Sequence, residues 1–145
     1  MTVQIIESET DLHTLENTWN DLVAKNAAGS FFSSFGYIRT TWEHFKGETD
    51  RLFILVLKDH HRITGIAPFR ISRSSLWGIP ARTIKFIAEW EGDRPGIIVE
   101  GSEALAWNRI YDFLHSEFKE WDVLDLTEQA AGLPMTTSPS CLSVT

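Results

Sequence analysis

Cysteine is almost absent: Cys141 is the only one in 145 residues. A disulfide framework within the chain and a multi-cysteine zinc site are therefore excluded. Long apolar runs are missing too, and none approaches the roughly 18–20 residues of a membrane-spanning helix. Positive charge is scarce, with 13 Lys and Arg against 20 Asp and Glu, a net charge of −7 and a pI near 5.1. Without a basic cluster, neither nucleic acid nor an anionic membrane surface is an expected partner. The opening Met1-Thr2-Val3-Gln4 has no basic or apolar leader region, so no signal peptide is expected and a cytoplasmic location is the default. What the chain does have is an ordinary globular composition, 43% hydrophobic and 23% charged, suited to one domain with a real core. Aromatics are plentiful: six Trp, two Tyr and nine Phe.

Val3 to Glu7 is β-branched and short, which predicts a first strand. Ser8 and Asp11 form a helix-start pattern, and Leu12, Leu15, Trp19, Leu22 and Val23 recur at helical spacing, predicting one helix over 11–25. Asn26 to Gly29 closes it. Ser33-Ser34 starts a second helix with a stripe of Phe35, Ile38, Trp42 and Phe45, and Gly47 suits its C-terminal cap. The stripe leaves Arg39, Glu43 and Lys46 on the other face. Leu52 to Leu57 is a continuous apolar run, the pattern of a strand covered on both faces. Asp59 to Arg62 is a turn, and Ile63 to Arg70 returns as the partner strand, with Pro68 expected at an edge or bulge. Residues 72–80, with Trp77, read as a loop or distorted strand. Residues 82–90 alternate as another strand, with Ile84, Phe86 and Ala88 on one face. Ile97 to Val99 is a short extended piece, Ser102 caps a third helix to about Lys119, and Trp121 to Leu126 is a last strand.

The predicted order is β-α-α-β-β-β-(β)-α-β: an α/β (α+β) chain with a mixed, mainly antiparallel sheet flanked by three helices. The third helix acts as a crossover that brings the last strand parallel to an earlier one. Residues 1–128 make the domain. Residues 129–145 carry no charge and include six Ser/Thr with Pro134 and Pro139, so they are expected to form a flexible tail.

The segments Ser30-Phe31-Phe32-Ser33-Ser34, Tyr37 to Phe45, Leu52 to Val56, Gly65-Ile66-Ala67-Pro68-Phe69, Gly92-Asp93-Arg94-Pro95-Gly96 and Trp121 to Leu126 carry a resemblance through their order and spacing. Over roughly residues 3–128 the chain resembles the N-terminal half of the bacterial CelD-like family. These are acetyltransferases of cellulose and exopolysaccharide biosynthesis, built from two acyl-CoA N-acyltransferase (GNAT) folds in tandem. The resemblance implies a GNAT-like fold, acetyl-CoA as the cofactor of the full-length family, and a saccharide or other small-molecule acceptor. Because the second, more standard half lies C-terminal to the part seen here, it also implies a half-protein, with the truncation point in the tail 129–145. Its partner would be either the missing C-terminal GNAT half or, by homodimerisation, a second copy.

The family's pyrophosphate loop, Arg/Gln-x-x-Gly-x-Gly/Ala, opens a helix whose backbone N–H groups cradle the phosphates. The corresponding stretch here, Glu89 to Gly96, has misplaced glycines, three acids and Pro95, which lacks a backbone donor. Gly101-Ser102 at the third helix is flanked by Glu100 and Glu103. No acetyl-CoA site is therefore expected within the chain. Trp90, Glu91, Asp93 and Arg94 are substrate-binding candidates, set against a plain solvated turn. Tyr37, Trp42 and His44 are acceptor-site candidates, set against core packing for Trp42 and bare surface for His44. Trp77 and Trp90, in or beside loops, are the tryptophans placed for stacking or an interface. Adjacent His60-His61 lack a third metal ligand; His13 and His115 sit in no triad-like pattern; and Cys141 has no basic neighbour to activate it. No metal site or catalytic residue is assigned. Three readings stand: an acyltransferase-fold half-domain without its own cofactor site, a complete minimal N-acetyltransferase with an atypical loop, and a non-catalytic dimerising module.

Overall fold

The computed structural model describes residues 1–25, 34–87 and 96–126. Ten elements follow in order: β1 (Thr2–Ile6), α1 (Glu9–Thr14), α2 (Glu16–Lys25), α3 (Phe35–Phe45), β2 (Arg51–Asp59), β3 (Arg62–Leu76), β4 (Ile79–Phe86), β5 (Ile98–Val99), α4 (Glu103–Ser116) and β6 (Val123–Leu124). Six strands form one mixed, mainly antiparallel sheet in the order β1-β2-β3-β4-β6, with β5 also on β3. Only β6 runs parallel to its neighbour, pairing Thr83 with Val123 and Ile84 with Leu124. The α4 crossover permits that parallel pairing.

The apolar run of β2 is the spine of the sheet. Successive side chains of a strand point to opposite faces. Phe53, Leu55 and Leu57 therefore pack with Trp107, Ile110 and Leu114 of α4, while Leu52, Ile54 and Val56 pack with Leu12, Trp19, Ile38 and Trp42 of the other three helices. Two cores result, one on each side of the sheet. Ser8, Ser34 and Ser102 are the N-caps of α1, α3 and α4, and each accepts the backbone N–H three residues on.

Several boundaries differ from the sequence pattern. The helix predicted over 11–25 breaks at Leu15, giving four helices rather than three among the described residues. The Thr14 hydroxyl donates to the Asp11 carbonyl at 2.6 Å, and the Leu15 amide turns to Leu12 instead, at 3.0 Å, tightening the last turn of α1. Pro68 lies inside β3 rather than at its end. Its carbonyl accepts from Ile87, and it stands where β4 hands over to β5 along one edge of β3, so its missing N–H falls between the two ladders. Of the two readings of residues 72–80, loop or distorted strand, the strand holds: β3 continues to Leu76, and a two-residue turn, Trp77-Gly78, leads into β4. Gly47 is not a left-handed cap; Lys46 caps α3 in extended conformation, and the Gly47 amide donates to Asp50 at 2.8 Å. The final strand shortens to two residues. Ala88 and the tail from residue 129 lie outside the described residues.

Candidate functional site

The third predicted helix, α4, opens at Ser102, where the sequence pattern put its cap. β5 pairs Ile98 with Ile66 and Val99 with Gly65, continuing the line of β4 on β3, and the Glu100 amide donates to the Thr64 carbonyl at 2.8 Å. The link from sheet to α4 is thus only Glu100-Gly101-Ser102. The Leu105 amide of the first turn is already held by the Ser102 hydroxyl at 3.2 Å. Glu103 adds a carboxylate there, and Glu100 adds another, its charge matched by a two-pronged ion pair with Arg62. The Arg62 hydrogen bond, against a smaller opposing effect of burial, holds the Glu100 carboxyl below its ordinary range. This donor set is a poor match for a pyrophosphate: one first-turn amide is taken, Arg62 and Glu100 cancel each other's charge, and Glu103 adds a carboxylate. A cavity of about 280 Å³ beside this corner is lined by Asp21 and Lys25 of α2, His61, Arg62 and Glu100.

A second cavity, of about 330 Å³, opens where β1 meets α1 and α3 meets β2. Its walls are Glu7, Glu9, Trp42, Lys46, Asp50, Arg51 and Leu52. Trp42 is 5% exposed, and its indole N–H donates to Glu9 Oε1 at 3.1 Å. The Lys46 ammonium donates to the same oxygen at 3.0 Å and lies 5.5 Å from the centre of the Trp42 ring, within cation–π range. The Lys46 bond first, then the indole bond, holds the Glu9 carboxyl below its usual range. Arg51 pairs with Glu7 at 2.9 Å on the opposite wall. At the floor Asp50, 6% exposed, meets Arg70 at 2.7 Å. Burial alone would raise the Asp50 carboxyl; the Gly47 amide, the Ser72 hydroxyl and Arg70 outweigh it and hold it low.

Of the residues singled out from sequence, Trp42 lines this cavity, Tyr37 is half-buried against the α1–α3 core, and His44 is exposed with Nδ1 2.9 Å from the Thr40 carbonyl oxygen. Trp90, Glu91, Asp93 and Arg94 lie outside the described residues. Trp77 is 92% exposed at the tip of the β3–β4 ribbon. Sequence reasoning missed Glu7, Glu9, Asp50 and Arg51, and it put Lys46 on the face away from Trp42. These residues flank elements instead of forming a motif, and only the Ser8-capped start of α1 hinted at Glu9. Among the described residues no helix is long and apolar enough to cross a membrane, and no group of three His, Cys, Asp or Glu side chains could hold a metal ion.

No family model matches the chain, and no curated protein matches it. Among solved structures it is similar to a crystal structure of a transcriptional regulator from Bacillus halodurans C-125, with a TM-score of 0.40 and 15% identity, over 87% of this chain and 81% of that one. A likeness that distant carries neither fold nor function across.

Proposed function

We propose that this chain is the acceptor-side half of a two-part GNAT-like acyltransferase of the CelD-like, polysaccharide-associated kind, without an acetyl-CoA site of its own. The observation that carries the reading is the head of α4, where the Ser102 hydroxyl engages a first-turn amide, Arg62 is paired with Glu100, and Glu103 adds negative charge. The element order and the parallel β4–β6 pair support the acyltransferase-like part of it, and so does the resemblance in segment order. The polar cavity around Trp42 supports the acceptor-side part. Trp77 and Ile79, exposed on a ribbon that outruns β2, offer apolar area to a second half. Calorimetric titration of the purified chain with acetyl-CoA tests the reading. No saturable heat is expected, and saturable binding overturns it.

A further inference from the structure

The cavity beside Trp42 contains a small cage for a positive charge, and the chain fills it with its own side chain. Two adjoining groups make it, the Trp42 indole and the Glu9 carboxylate that accepts the indole N–H. The Lys46 ammonium lies against both, donating to the same Glu9 oxygen and lying 5.5 Å from the centre of the Trp42 ring. Lys46 follows the last turn of α3 on extended backbone, and its pair with Glu9 is 41% and 51% exposed. Such a pair is held weakly, because both charges remain well hydrated. The ammonium is therefore easily displaced, while the indole is held in the core and its N–H bond to Glu9 aims the carboxylate. Beyond it, Leu52 supplies an apolar surface, and Glu7 and Arg51 supply acceptors and donors across the opening. The volume of about 330 Å³ is at the small end of the range for ligand pockets.

We propose that this cavity binds a small primary-ammonium compound bearing hydroxyl groups, its ammonium taking the position that Lys46 holds against Glu9 and Trp42. Carboxylate and indole together select charge, since a neutral amide gains neither the ion pair nor the cation–π attraction. Glu7 and Arg51 then meet the hydroxyls. This deepens the acceptor-side reading by naming a ligand class, and rests on that reading only for the claim that the ligand is an acyl acceptor.

The probes are D-glucosamine and, as the uncharged control on the same ring, N-acetyl-D-glucosamine. Each is titrated into the full chain by calorimetry, with the Trp42 indole N–H followed by NMR. Saturable binding of glucosamine, with a shift at that indole, is expected for the wild type or for Lys46→Met. The Lys46→Met chain should bind about two- to fivefold more tightly, because the competing ammonium is gone. Glu9→Gln keeps an acceptor for the indole but loses the charge, and should weaken binding about tenfold or more. Three results each overturn the proposal: no saturable glucosamine binding by either the wild type or Lys46→Met, equal binding of the N-acetyl control, or an unchanged affinity in Glu9→Gln. The acetyl-CoA titration is separate, so the half-domain reading can fail while this one stands, and the reverse.

Discussion

Trp107 and Trp121 are both fully buried on the α4 side of the sheet, yet they differ at one atom. The Trp121 indole N–H donates to the Leu114 carbonyl at 2.8 Å and the Phe118 carbonyl at 3.1 Å, tying the end of α4 to the approach of β6. The Trp107 indole nitrogen is buried without a hydrogen-bond partner among the described residues. A Trp→Phe change removes similar apolar area at either site. At 121 it also breaks two hydrogen bonds inside the core, whereas at 107 it removes a donor that was desolvated without compensation. Trp121→Phe should therefore lower the unfolding free energy more than Trp107→Phe, by about 1 kcal/mol. Urea denaturation of the two variants checks the order, and equal losses would refute it.

At the scale of elements, the β3–β4 ribbon is the least ordinary. β2 pairs with β3 only as far as Ile71, so Ser72 to Leu76 are paired on the β4 side alone. The turn at the tip has positive φ at both central residues, 52° at Trp77 and 81° at Gly78. Glycine adopts this region freely, but a bulky side chain there is strained, and a two-residue hairpin of this kind favours Asn-Gly. Trp77 recovers little of that strain by packing, because it is almost wholly exposed. Trp77→Asn should raise stability by about 1 kcal/mol, read as a higher melting temperature. A lower melting temperature would mean that the indole has a contact within the chain that outweighs the backbone strain.

For the molecule as a whole, acid should be the destabilising direction. Glu9, Asp50 and Glu100 all sit below their ordinary values in the fold. A carboxyl depressed by folding stabilises the native state above its unfolded pKa, and that contribution fades as pH falls through the lower native value. Stability should thus hold from neutral pH down to about pH 5 and then decline. Asp50 should contribute most, because its pair with Arg70 is part-buried and joins the α3–β2 link to β3; the other two pairs are more exposed and more screened by salt. Asp50→Asn should lose about 2 kcal/mol at neutral pH and flatten the acid limb. Chemical denaturation at pH 7, 5 and 3 reads both effects.

The sequence by itself determined the periodic parts: the two-sided strand β2, the helix starts at Ser8, Ser34 and Ser102, the turn at His60-His61 and the parallel return of the last strand after a helical crossover. These are properties of spacing and of local hydrogen bonding, so residues close in the chain suffice to read them. Tertiary structure alone decided that residues 72–80 pair as a ribbon and that Pro68 fits inside a long strand. It also decided which strand β5 joins, since a strand's partner is set by the neighbour that accepts its hydrogen bonds. It decided the cavity as well: Glu9 and Lys46 stand 37 positions apart. No local pattern brings them together; the packing of α1 and α3 on one face of the sheet does.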